Sequence, residues 1–400
     1  MPLRKSVLML VENLSVPADP RVWKEAQTLR RLGFHVCIIS PQGKTYDQER
    51  YICIDGIHIY RYRLSTEGCK SRDYIKEYAI ALLKTLGLSL KLWMRHDFSV
   101  IHAANPPDIF FLIGLCYRLF GKVYVFDQHD LAPAMFHVKF QDRVNPLYKL
   151  LRFLECCSYR TAKIVITTNE SQKRHAIAYG HCAPEKVFVV RNGPEIEHLR
   201  DISPKPALKR GKRYLLIYIG VMGLQDGIEH ALYALHELIH NRHRQDIFCV
   251  LIGDGDQFLR LQALAHSLKI DQHTHFTGWL QRQDIVSYLA TADIGLSPDP
   301  SNELNDHSTM LKTMEYMAMG KPIVAFDLPE TRYSAQEAAL YAPPNSIDEF
   351  ADKIETLLDN PEQRRAMGAY GRKRVEEELC WACTQKSLWQ VYETLFPHQN

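Results

Sequence analysis

Residues 214–252 read YLLIYIGVMGLQDGIEHALYALHELIHNRHRQDIFCVLI. The runs 214–219 and 246–252 are short, apolar and β-rich, and a helical segment separates them. Two strands joined through a helix lie parallel, and the same alternation recurs along the whole chain. In the first half the strand candidates are 6–11, 35–40, 57–60, 99–102, 122–126, 163–167 and 186–190. In the second they are 214–219, 246–252, 273–277, 292–296, 322–326 and 339–341. The pattern predicts an α/β chain of two doubly wound domains. The stretch 196–212 ends in PKPALKRGKR, has no periodicity and reads as a connector. The expected division is a domain at 1–198, a linker at 199–212, a second domain at 213–380 and a terminal helix at 381–400.

A chain of 400 residues exceeds what one hydrophobic core usually serves, which agrees with two domains. Charged residues at 24% and apolar residues at 46% exclude a largely disordered or fibrous chain. The net charge of +3 hides an asymmetry: residues 1–195 carry 28 basic and 18 acidic side chains (+10), and residues 196–400 carry 21 and 28 (−7). The first half therefore suits an anionic partner, such as a membrane surface or a phosphorylated substrate. Its basic residues are dispersed rather than clustered with aromatics, which argues against nucleic acid.

The apolar stretches 79–94 and 109–126 are interrupted by Lys84 and Lys91, and by Arg118, Gly121 and Lys122, so neither predicts a spanning helix. Residues 74–95 mix aromatic and basic side chains and could lie on a bilayer, although packing on the chain's own sheet is the commoner fate of such a helix. No secretory signal is read at the start, and the ten cysteines are expected to stay reduced in a cytosol. Cys380 and Cys383 form a lone CxxC without the second pair that a zinc site needs.

Ligands of open α/β sheets bind beyond the carboxyl ends of the strands, so the loops there hold the candidate residues. In ENLSVPADPRVWKEAQTLRRLG, Asp19 is placed to cap a helix that starts at Pro20, and Arg21 follows at the same loop. No GxGxxG is present, which lowers the weight of nicotinamide or flavin enzymes. VYVFDQHDLAP runs a strand into His129 and Asp130, a histidine flanked by acids that suits hydrogen bonding or proton transfer near neutral pH. IGDGD and FTGWL place glycines where a backbone could approach a ligand closely.

The densest segment is NDHSTMLKTMEYMAMGKPIVAFD, residues 305–327. Ser308 is the expected cap of a helix ended by Gly320 and Pro322. Lys312 and Glu315, three apart, share one face below that helix's N-terminus. Amides, a cation and then a carboxylate suit a nucleoside diphosphate, with Lys312 on phosphate and Glu315 on ribose. The alternative is an ordinary salt bridge on a surface helix.

The order DPRVWKEAQTLRRLGFHV, FDQHDLAP, RNGPE, IGDGD, FTGWL, ADIGLSP and EYMAMGKPIVA resembles the retaining GT-B glycosyltransferases of family 4, particularly bacterial members that build surface polysaccharides. The closing WACTQKSLWQVYETLF is similar to the helix that returns to the N-terminal domain in that fold. The resemblance implies two Rossmann-like domains facing across a cleft, the first binding the acceptor and the second the nucleotide sugar, with no metal or other cofactor. It implies that Glu315, as the second acid of E-x7-E, contacts ribose, that Gly278 and Trp279 border the base, and that His129 approaches the donor sugar.

Three departures stand out. His307 replaces the first acid of E-x7-E, leaving His307 and Asp306 as the donor-sugar candidates. Val221 and Asp226 stand where the family usually has Arg and Lys, so Lys312 and Arg191 are the expected replacements, together with helix amides at Ser308 and Thr309. Ala134 stands where relatives carry Glu.

The expected activity is sugar transfer from a nucleoside-diphosphate sugar to a glycan or lipid-linked acceptor, in the cytoplasm and peripheral to the inner face of an anionic membrane. A sugar-nucleotide epimerase and a non-catalytic nucleotide-sugar-binding subunit are the rivals.

Overall fold

The computed structural model describes residues 5–43, 46–64, 71–140, 145–199 and 202–396. The chain divides into two compact units, Met1–Asn192 with Thr384–Asn400, and Gly193–Cys383. The first holds an eight-stranded sheet of β1 (Ser6–Leu10), β2 (His35–Pro41), β3 (Tyr51–Ile54), β4 (Ile57–Tyr62), β5 (Val100–Ala104), β6 (Val123–Gln128), β7 (Ile164–Thr167) and β8 (Val187–Val189). Their spatial order is β3-β4-β2-β1-β5-β6-β7-β8, and every pairing but one is parallel. Strands such as SVLML and VIHAA are buried at every position, as interior parallel strands covered on both faces must be.

The exception is β3, which pairs antiparallel with β4 and was not anticipated in the strand candidates. Asp55 and Gly56 both have positive φ between the paired Ile54 and Ile57, as a two-residue primed hairpin turn requires. The Asp-Gly dipeptide was the available signal.

The second unit holds β9 (Tyr214–Ile219), β10 (Ile247–Ile252), β11 (Thr274–Gly278), β12 (Ile294–Ser297), β13 (Ile323–Phe326) and β14 (Ala339–Ala342), all parallel in the order β11-β10-β9-β12-β13-β14. The chain is thus α/β with two doubly wound sheets, as the alternation predicted. In each sheet the winding reverses direction at one point, between β1 and β5 in the first and between β9 and β12 in the second. Loops diverge at such a point and leave a crevice, so the loops after these strands position the candidate site.

The expected linker at 199–212 is corrected. The unit boundary falls at Asn192/Gly193, and much of the stretch that follows packs on the second unit. Ile196 and Leu199 are buried in its core, with Ile202 and Leu208 against the same cluster. A prolyl, basic composition concealed four apolar anchors; residues 200–201 lie outside the described residues. The terminal helix runs Trp381–Leu395, and from Thr384 onward it belongs to the first unit. There Leu388, Val391 and Tyr392 are buried, and Tyr392 meets Phe34 edge to face at 5.1 Å. The expected extension through 397–400 lies outside the described residues.

Nine cysteines among the described residues are unbridged. Among the described residues no helix is long and apolar enough to cross a membrane.

Candidate active site

In the first unit, β6 delivers Asp127 at its carboxyl end, and the chain then turns through His129 and Asp130. Asn105, the residue after β5, clamps this turn. Its Oδ1 accepts from the amides of His129 (2.6 Å) and Asp130 (3.2 Å), while its Nδ2 donates to the Asp130 carbonyl (2.8 Å). The His129 carbonyl also accepts from Gln172 Nε2 at 3.0 Å. The imidazole is thereby held with Nε2 2.7 Å from Asp127 Oδ2, leaving Nδ1 on the other side of the ring.

Asp127 is fully buried, and its second oxygen takes a hydrogen bond from Arg21 Nη2 at 2.9 Å. Arg21 also donates to the Val190 carbonyl at 2.9 Å and pairs with Glu25 at 3.0 Å. His102 lies with Nε2 3.4 Å from Asp127 and 3.5 Å from Glu25, and its Nδ1 is 2.8 Å from the Tyr392 hydroxyl. A buried network therefore runs from the terminal helix to His129. Glu25, His102 and Asp127 bring ligand-type atoms within 4.8 Å of one another. The Arg21 guanidinium already supplies the positive charge to both carboxylates, which disfavours reading the group as a metal site.

Burial works against the charge on Asp127, but Arg21 and His129 overcome it and hold its carboxyl well below the ordinary range. Burial likewise opposes the charge on His129, and Asp127 outweighs it, so the imidazole is raised and favours its cationic form. Asp130 is raised, chiefly by burial.

Three further acids of this unit, Glu12, Glu25 and Asp108, are pushed up to about 8, 7 and 8, with burial the leading cause in each. Each keeps a proton that the unfolded chain releases near pH 4. Their contribution to stability is whole below that pH, is lost as pH rises through the window, and levels off above about 8. Thermal unfolding at pH 9 should therefore show a midpoint roughly 5 °C or more below that at pH 6. An equal or higher midpoint at pH 9 contradicts the assignment.

The expected placements fare differently. Asp19 caps the Pro20–Arg31 helix, accepting from the amides of Arg21 and Val22. Arg21, expected as a loop residue at the cleft, is corrected: it is buried, and its two Nη groups find two carboxylates and a carbonyl inside the unit. Ala134 is buried in the Ala132–Phe140 helix, and Arg191 is buried just after β8. Arg191 belongs to the first unit and Lys312 to the second, so the two expected phosphate cations sit on separate units.

In the second unit, backbone packs on backbone where β9, β10 and β11 end. The Gly220 amide donates to the Ile252 carbonyl at 3.1 Å, and the Gly253 amide to the Gly278 carbonyl at 3.1 Å. A Cβ on Gly253 would stand 1.8 Å from the Gly220 oxygen, so only glycine permits this approach. Trp279, next to Gly278, is 70% exposed.

At the β9/β12 reversal, Lys312 is buried with Nζ 2.5 Å from Asp299 Oδ1, 4.0 Å from Asp226 Oδ1 and 4.9 Å from the centre of the Tyr218 ring. Asp299 also accepts from Ser297 Oγ at 2.6 Å, and Asp226 from the Gly223 amide at 3.0 Å. Burial lifts Asp226 to about 6 against the opposing pull of Lys312. The acid that stands in a position usually cationic in the family thus faces the lysine expected to compensate for it.

The helix carrying Lys312 starts later than expected, at Leu311. Ser308 is not its cap: the hydroxyl donates to the Leu304 carbonyl at 2.8 Å, and the amide to the Asn305 carbonyl at 3.1 Å. The short Asn305–His307 turn consumes these groups, so the diphosphate role expected of Ser308 is corrected and the helix amides begin at Leu311 and Lys312. Thr309 precedes the helix and is half-buried, and Glu315 is half-buried one turn below Lys312. His307 Nδ1 lies 3.0 Å from the Glu303 carbonyl, and Asp306 accepts from Ser301 Oγ at 3.1 Å.

Asn105 and Asp299 were missed, although each is a polar residue just beyond the carboxyl end of a strand. Glu25, His102 and Tyr392 were missed because they occupy helix and strand faces that periodicity assigns to the core.

Residues 21–198 match the model described as Glycosyltransferase Family 4, and residues 200–374 match Glycosyl transferases group 1. Between them they account for nearly the whole chain, which belongs to the GT-B glycosyltransferases of family 4. Among curated proteins, the chain is 24% identical over 305 residues to the sulfoquinovosyl transferase SQD2 of Arabidopsis thaliana, covering 73% of this chain and 56% of that protein. It is 30% identical over 156 residues to a GDP-mannose-dependent monoacylated alpha-(1-6)-phosphatidylinositol monomannoside mannosyltransferase of Corynebacterium glutamicum, covering 38% of this chain and 40% of that protein. The matched part thus spans about half, or less, of these relatives' own length.

Among solved structures, the sucrose-phosphate synthase of Thermosynechococcus elongatus superposes with a TM-score of 0.81 at 17% identity, covering 98% of this chain and 99% of that one. Anabaena HepE in complex with UDP-glucose superposes with a TM-score of 0.73 at 15% identity, covering 97% and 99%. These likenesses establish the shared fold.

Proposed function

We propose that the chain is a retaining, metal-independent glycosyltransferase that moves a sugar from a nucleoside-diphosphate sugar to a hydroxyl of a lipid-linked saccharide, at the cytoplasmic face of a membrane. The observation that carries this reading is His129, held by buried Asp127 and clamped by Asn105 beside the β1/β5 reversal of a glycosyltransferase fold. A relative named for a phosphatidylinositol mannoside acceptor and a fold neighbour solved with UDP-glucose support the two substrate classes.

In the proposed reaction the bond from the anomeric carbon to the diphosphate oxygen breaks, and its electron pair leaves with the phosphate. The acceptor oxygen bonds to the anomeric carbon on the same face and passes its proton to the departing phosphate oxygen. Configuration is retained, and no protein nucleophile takes part. Lys312 and the first amides of its helix stabilise charge that grows on the diphosphate, an interaction stronger in the transition state than in the ground state. His129 and Asp130 orient the sugar, Glu315 accepts from ribose, and Gly278 with Trp279 borders the base. In this reading His307 and Asp306 take the sugar-binding role of the usual acid.

Purified protein incubated with UDP-, GDP- and dTDP-sugars, with and without a detergent-dispersed lipid-linked saccharide, tests the reading. Nucleotide release that requires the acceptor and survives EDTA is the expected result. Epimer formation without acceptor, or binding without turnover, overturns it in favour of an epimerase or a silent binding subunit; turnover lost with EDTA removes the metal-independent part.

A further inference from the structure

The first unit contains an apolar cavity of about 360 Å³ that no step above uses. Ala79 and Leu82 of the Ser71–His96 helix form one wall, Met135 and Phe136 of the Ala132–Phe140 helix a second, and Leu151 and Leu154 of the Pro146–Thr161 helix a third. Among the described lining residues, Tyr78 and Lys139 are the only ones with polar side-chain groups. The cavity opens to the surface, it leaves apolar side chains of three helices uncovered, and its volume is that of a ligand site.

Two of its lining residues connect it to the candidate active site. Pro106 follows Asn105, whose side chain clamps His129 and Asp130, and Ala132 lies two residues beyond Asp130. A ligand filling the cavity would therefore end at the loops that carry His129.

Its outer rim is apolar and exposed, at Ile75, Met135 and Leu150. From Ala79 the exposed apolar side continues along the same helix through Leu83, Leu90 and Met94, at helical spacing, with Met94 80% exposed. Exposed Lys84, Lys91 and Arg95 flank that stripe. Apolar side chains bordered by cations match the interface of an anionic bilayer. A peptide would bring amides needing partners, which two polar side chains could not supply, whereas a hydrocarbon chain needs none.

We propose that this cavity binds the hydrocarbon chain of an anionic membrane lipid and so presents the lipid's head group, the acceptor, to His129. The inference rests on the transferase reading for the role of the head group, but the binding itself is measurable without it.

The full chain is titrated calorimetrically with octyl, dodecyl and hexadecyl phosphate below their micelle concentrations, with inorganic phosphate as the head-group control. Affinity should rise roughly two- to fourfold per methylene until the cavity is full, because each buried methylene is worth about 0.8 kcal/mol, and inorganic phosphate should give no comparable heat. Ala79→Trp and Met135→Trp, which fill the cavity from opposite walls, should each weaken dodecyl phosphate at least tenfold. Flotation of the wild-type chain should follow phosphatidylglycerol content in phosphatidylcholine vesicles and fall on Lys84→Glu/Lys91→Glu.

Affinity independent of chain length, or both Trp variants binding as wild type while folded, overturns the cavity assignment. Thermal shifts with UDP, GDP and dTDP on the same preparations separate the two failures. Lost lipid binding with nucleotide shifts intact removes only the cavity, and retained lipid binding without any nucleotide shift removes only the transferase reading.

Discussion

Replacing His129 by Ala is expected to lower turnover by about 10²- to 10⁴-fold, the range that a positioned hydrogen-bonding or proton-transferring group contributes. Donor binding and fold should survive, since the ring projects from the end of β6 with 16% of its side chain exposed, and its backbone stays clamped by Asn105. Asp127→Asn separates the role of the ring from the role of the charge beneath it. That carboxylate favours the imidazolium, so activity that depends on the cation is present at low pH and falls as pH rises through the His129 pKa. Without the charge the pKa drops, and the falling limb should move to lower pH. The same substitution leaves Arg21 with Glu25 as its remaining acidic partner and should cost roughly 3–5 kcal/mol, the effect of breaking a buried pair. Unaltered turnover in His129→Ala removes the ring from the mechanism. An unmoved limb in Asp127→Asn removes the electrostatic coupling.

The fold was legible because interior parallel strands leave an unmistakable trace: runs such as YLLIYI and IFCVLI are buried at every position. Such runs also point to the candidate residues at their carboxyl ends, since His129 and Asp130 follow β6 and Gly278 closes β11. What escaped depended on partners far away in sequence. Nothing around Ser308 shows that its hydroxyl turns back to Leu304, or that the helix waits until Leu311. Glu25 and His102 look like residues of an amphipathic helix and a strand until the sheet brings them to Asp127. The connector was misjudged for the opposite reason. Its composition is that of a linker, yet Ile196, Leu199, Ile202 and Leu208 find apolar surface on the second unit.

The second large effect concerns Lys312, whose charge is shared between Asp299 and Asp226. A diphosphate reaching this lysine must compete with a carboxylate already 2.5 Å away. The site therefore carries two acids for its one lysine, and the balance is sensitive to either sign of substitution. Lys312→Ala leaves buried Asp299 and half-buried Asp226 without their countercharge and should weaken nucleoside-diphosphate binding roughly 10- to 100-fold, the worth of a charge-assisted hydrogen bond of about 1.5–3 kcal/mol. Asp226, already lifted to about 6 by burial, should rise further in that variant because Lys312 is what pulls it down. Binding by Lys312→Ala should then recover partly as pH falls from 8 to 5, when Asp226 takes up its proton. Asp226→Asn is the converse: it removes the more distant acid, leaves Asp299 to hold the lysine in place, and should tighten binding several-fold. Titration of UDP, GDP and dTDP into wild type and both variants reads all three outcomes. Unchanged affinity in Lys312→Ala would show that the diphosphate is held elsewhere. Weaker binding by a folded Asp226→Asn would mean that the carboxylate contacts the ligand itself, an acid put to use where a cation is usual.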